Sequence, residues 1–120
     1  MVAAAAAEAE PADPFAAAAA VLAPLVPGAV AAMGDTPFTT GQFIRHLRRS
    51  RGGEPAYQHA LAVLAQGRPE GRRLAEHSLH GIVIPGLLRA TPGVAWMGFA
   101  RSRPPDDEGP EVPAWWRHVP

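Results

Sequence analysis

The chain of 120 residues contains no Cys, no Lys and no Asn. Without Cys there is neither a disulfide nor a thiolate metal site, as expected of a protein kept in a reducing, cytoplasmic compartment. Without Lys, every fixed side-chain cation is Arg. Lys and Asn use AT-rich codons, whereas the abundant Ala, Gly, Pro and Arg use GC-rich ones, which points to a high-GC bacterium or one of its phages as the source. The choice of Arg over Lys therefore says little about bidentate phosphate recognition, and the placement of the Arg residues says more. Catalytic signatures are missing too. There is no GxSxG, P-loop or GxGxxG, and Ser50, Ser78 and Ser102 each lack an evident base and orienting acid. The expectation is a protein that binds and does not catalyse, with no cofactor and no small-molecule ligand implied.

Long hydrophobic runs are scarce. The stretch Phe15 to Met33 is apolar, but it is mostly Ala, is interrupted by Pro24 and Pro27, and is preceded by Glu8, Glu10 and Asp13. A signal peptide needs a basic segment there, and an Ala-rich run is too weakly hydrophobic for a membrane span. A cytoplasmic helical segment is expected, with no membrane partner.

What the chain does have is charge sorted by region. Residues 36–103 carry ten Arg against Glu54, Glu70 and Glu76, a net of +7. The first 35 residues carry four acids, a net of −4, and the last 17 carry four acids against Arg117, a net of −3, so the sum is zero. A basic middle between acidic ends is suited to an anionic partner.

Local patterns place the elements. Residues 1–12 form a low-complexity, Ala-rich tail. Asp13-Pro14 reads as an N-cap with Pro at the first helical position, opening a Pro-kinked helical segment over 13–34 that Gly34 stops. Thr39 with Gln42 forms a capping box, flanked by Phe38 and Phe43 at the staple positions, so a helix starts at Thr40. Its apolar face is Phe43, Ile44 and Leu47, and Arg45, Arg48 and Arg49 lie opposite. Glu54-Pro55 opens a second helix with the stripe Tyr57, Ala60, Leu61 and Leu64. Pro69-Glu70 opens a third, with Leu74, Ser78, Leu79, Ile82 and Val83 on one side and Arg73, Glu76, His77 and His80 on the other. Pro85 predicts a kink between 81 and 85. Val94 to Ala100 and Val112 to Val119 read as strands joined by a polar, Pro-rich loop with an acidic tip at Asp106, Asp107 and Glu108.

This gives a mainly α chain with a small C-terminal β-ribbon, an α+β arrangement. Three helices (39–50, 54–66 and 69–90) followed by a β-hairpin over 94–119 resemble a winged helix, making 35–120 the domain. The resemblance is architectural and rests on no family motif. It implies DNA binding, with Arg72, Arg73, His77 and His80 of the third helix facing the major groove and Arg101 and Arg103 at the base of the wing. Arg45, Arg48 and Arg49 extend the basic face, though a charged face opposite an apolar stripe is ordinarily just solvated. His77 and His80 share one helix turn with no third strong ligand nearby, so no metal is expected. Of Trp115 and Trp116, one should pack inward and the other stay exposed as an anchor for a partner. The alternative to DNA is a protein-interaction module or regulatory subunit. It would dock a partner protein, or a second copy of the chain, through the Ala-rich helix and the Trp-bearing ribbon.

Overall fold

A computed structural model describes residues 13–66, 68–107 and 112–120. The Ala-rich stretch 1–12 lies outside the described residues. The order is α1 (Pro14–Leu22), a 3-10 turn (Ala23–Leu25), α2 (Val26–Ala32), β1 (Phe38–Thr39), α3 (Thr40–Arg49) and α4 (Gly53–Ala65). A second 3-10 turn (Pro69–Gly71), α5 (Arg72–Ser78), a π-helical turn (Leu79–Val83), α6 (Ile84–Ala90), β2 (Val94–Phe99) and β3 (Ala114–His118) follow. The chain is mainly helical, with one small antiparallel sheet ordered β1-β3-β2.

The helix starts follow their caps. The Asp13 carboxylate accepts from Phe15 N at 2.9 Å, with Pro14 at the first helical position. The segment between Pro24 and Pro27 passes through the 3-10 turn before α2 resumes. At α3, Thr39 Oγ1 accepts from Gln42 N and Gln42 Oε1 accepts from Thr39 N, both at 3.0 Å. Phe38 and Phe43 meet at 6.3 Å between ring centroids. The capping residues also do something the sequence did not announce. Phe38 and Thr39 pair with Trp116 and Trp115 of β3, so the expected two-stranded ribbon becomes a three-stranded sheet.

One core serves the whole described chain. Ala18, Leu22, Val26, Ala29 and Val30 of the first two helices are buried in the same cluster as Phe43, Leu47, Tyr57, Leu61, Leu79, Ile84, Leu88 and Trp116. The 13–34 segment, which the sequence sets apart from 35–120, thus shares its core. Each buried Leu, Ile or Phe contributes about 1.5–3 kcal/mol relative to exposure.

The long third helix differs from its expected face. Leu74 and Ile82 are 71% and 57% exposed, while Ala75, Leu79, Val83 and Ile84 are buried. The rows 74/78/82 and 75/79/83 adjoin on the helix surface, and the buried one is that of Ala75, Leu79 and Val83. The expected kink before Pro85 takes the form of the π turn, in which Ile84 N–H reaches back to Leu79 O. Pro85 then follows as the second residue of α6, and the backbone stays helical through it. The wider turn shifts the buried row to Val83, Ile84 and Leu88.

Candidate functional site

Helix α3 holds three Arg beside its buried face, and α4 fixes one of them. Arg48 makes a two-pronged ion pair with Glu54, Nε to Oε1 at 2.7 Å and Nη2 to Oε2 at 2.9 Å. Its guanidinium carbon lies 4.2 Å from the centre of the Tyr57 ring. The Arg48 contact, with the Gln58 amide donating to the same carboxylate, holds the Glu54 carboxyl down at about 2. Burial pushes the Tyr57 hydroxyl above its ordinary value. That hydroxyl shares a 2.7 Å hydrogen bond with Nε2 of His80. Arg48 and His80 are therefore built into the framework, while Arg49, Arg73 and His77 stand exposed around them.

The sheet supplies the opposite side. Trp96 and Phe99 are three residues apart on β2 and in a regular strand would face opposite ways. The register slips between Trp96 and Gly98, leaving Met97 as an extra residue. Gly98 makes this bulge at φ +112°, a conformation that side-chain-bearing residues avoid. Trp96 therefore pairs with Trp116, and Phe99 with Ala114, all on one face. The Trp96 and Phe99 rings meet edge to face at 5.5 Å. Trp116 is fully buried, and its indole N–H donates to Thr40 Oγ1 at 2.8 Å. Trp96 and Phe99 stay 46% and 68% exposed. Arg89 of α6 sits against this face, 5.6 Å from the Trp96 ring and 5.8 Å from that of Trp116.

The loop after β2 folds back onto α3 at Asp106 and Asp107. Asp106 accepts from the Gln42 amide at 2.9 Å. Asp107 is buried and takes a 3.0 Å ion pair from Arg103. Its carboxylate lies against Gly41 in the first turn of α3, where a Cβ would collide with it. The amino end of a helix favours a carboxylate. Asp106 and Asp107 of the acidic tip are thus held against α3, and Glu108 lies outside the described residues.

These parts enclose one open cleft of about 890 Å³ between α3, the α5–α6 run and the sheet. It brings together Arg45, Arg48, Arg49, Arg73, His77, His80 and Arg103 from the sequence-based set, and Trp116 forms part of its floor. It adds Arg89, Trp96 and Phe99, which the sequence reading did not assign to a site. The Gly at position 98, inside an otherwise regular strand pattern, was the available signal for the bulge that brings the two rings together. Arg72, Arg101 and Trp115 lie outside the cleft lining. Arg72 donates to Gln58 at 3.1 Å, and Trp115 is half-buried on the other sheet face, across from Thr39. Trp116 is the inward member of the Trp pair, and the exposed aromatic surface comes from β2 instead of β3. Among the described residues, six Arg line the cleft with Glu54, Glu76, Asp106 and Asp107, a net of +2. Arg48 pairs with Glu54 and Arg103 with Asp107, and Arg49, Arg73 and Arg89 line the same cleft with Glu76 and Asp106. Among the described residues, no three His, Asp or Glu side chains converge as a metal site. Comparisons with protein-family models, curated proteins and solved structures find no match.

Proposed function

We propose that this chain is a non-enzymatic, winged-helix-like nucleic-acid-binding domain of the cytoplasm that holds the phosphate backbone, DNA being the leading partner, through its Arg-lined cleft. The observation that carries this reading is convergence. Arg residues spread over 59 positions of sequence, from Arg45 to Arg103, line a single concavity. Arg side chains on one concave face focus positive potential and neutralise phosphates. The exposed Arg49 of α3 and Arg73 of α5 would contact the phosphate backbone, with His77 one turn on from Arg73.

A second reading, docking of a partner protein, is favoured by one observation: the exposed apolar row of Leu74 and Ile82 on α5 and the π turn. Binding of a labelled DNA oligonucleotide across a salt series separates the two. The nucleic-acid reading expects affinity that falls steeply with salt, because each phosphate contact releases a counterion. Absence of binding at low salt overturns it and leaves the Leu74–Ile82 row as the place to seek a protein partner.

A further inference from the structure

We propose that the cleft takes a single-stranded polynucleotide, with an unpaired base stacked on Trp96 or Phe99 while the adjoining phosphates meet Arg73 and Arg89. This rests on the nucleic-acid reading of the cleft and specifies its ligand. Two independent features lead to it. The first is the aromatic pair. Large aromatic rings are normally withdrawn from solvent, yet Trp96 and Phe99 are 46% and 68% exposed. They share a face only because the Gly98 bulge turns Phe99 to the side of Trp96. Val94 and Trp116 are the buried members of this face, whereas Trp96 and Phe99 reach from it towards solvent. The second is charge. The rings adjoin Arg89, whose guanidinium reaches the Trp96 face, and they open onto the cleft that Arg45, Arg49 and Arg73 line.

A basic groove joined to exposed aromatic platforms is the combination that binds single strands. Its arithmetic disfavours duplex. In a duplex the bases are stacked on one another and paired, so a ring can reach a base face only after unstacking, at a cost of a few kcal/mol. A single strand offers its base faces at no such cost. The shape points the same way. A major groove accepts a protruding helix, whereas the Arg side chains here line a concavity, with His80 held inward by Tyr57. DNA and RNA strands share this chemistry.

The test is fluorescence anisotropy with unstructured DNA and RNA strands of about 20 nucleotides, longer than a typical site for one such domain, and with the matching DNA duplex, all at one low salt concentration. The expected result is binding of at least one single strand about tenfold or more tighter than the duplex. Trp96→Ala and Phe99→Ala should each weaken single-strand binding roughly tenfold and leave duplex binding unchanged. Trp96→Phe should retain most of the affinity but lose the quenching of Trp emission that the strand causes. Should Trp96→Ala disturb folding by circular dichroism, Phe99→Ala, at the more exposed ring, decides the matter. Duplex binding equal to or tighter than single-strand binding overturns this proposal alone, as does loss of affinity in Arg73→Ala with none in the aromatic variants. No binding of any strand or duplex overturns it together with the reading on which it rests.

Discussion

Thr39→Ala tests the joint between helix α3 and the sheet. Thr39 is fully buried, and its hydroxyl oxygen accepts the Gln42 backbone N–H at 3.0 Å. Loss of an N-cap side chain costs about 1 kcal/mol, ranging from about 0.5 to 2. Here the orphaned donor is partly buried, and leaving such a group without a partner costs about 1–3 kcal/mol. Removal of the side-chain methyl from a packed site adds somewhat under 1 kcal/mol. The expected loss is about 2 kcal/mol. Thr39→Ser keeps the oxygen and loses only the methyl, so it should cost under about 1 kcal/mol. Chemical denaturation of the three proteins reads both values, provided the slopes agree. Equal losses for Ala and Ser would mean that packing, and not the cap, makes Thr39 matter. A loss below about 0.5 kcal/mol for Ala would remove the capping box from the account altogether.

Other expectations are independent of that joint. The Glu54 carboxyl, held at about 2 by Arg48, should stay ionised through mild acid. Its contribution to stability is present above the ordinary carboxylate value of 4.5 and fades as pH falls towards 2. An NMR titration reads this directly, and Arg48→Ala should return the midpoint towards 4.5; an unmoved midpoint would contradict the ion pair as cause. Gly98→Val places a β-branched side chain at φ +112° and should cost about 1–3 kcal/mol, with loss of the near-ultraviolet dichroism of the Trp96–Phe99 pair; a neutral substitution would mean there is no bulge. Leu74→Glu and Ile82→Glu should each stay within about 0.5 kcal/mol of wild type, and a loss of several kcal/mol would put these side chains in the core where the sequence pattern first set them.

The elements that local chemistry specifies were legible. The Asp13 cap and the Thr39–Gln42 box each depend on residues within a few positions of one another, and each stands where its spacing put it. The inward and outward sides of α3 followed from a regular period of 3.6 residues. The third helix did not, because two adjoining rows each carried apolar residues and the π turn at 79–83 changes the period within the helix. Long-range pairing was invisible as well. Nothing local tells Phe38 and Thr39 that they will form a strand with Trp116 and Trp115, 76 or more positions away. The candidate site was legible as charge and not as shape. Arg45, Arg49, Arg73 and Arg103 could be chosen as a basic set, but their gathering around one cleft, the exclusion of Arg72 and Arg101, and the arrival of Trp96 and Phe99 depend on the bulge and on the folded-back loop.

The central claim is that Arg residues gathered in the cleft, and not basic charge in general, contact a nucleic acid. Its most direct measurement is the salt dependence of DNA-strand binding in Arg49→Ala, Arg73→Ala and Arg101→Ala, each against wild type. The account predicts that Arg49→Ala and Arg73→Ala each weaken binding and flatten the logarithmic salt slope by about one unit, while Arg101→Ala, outside the cleft, leaves the slope in place. Three equal changes, or none, would contradict it.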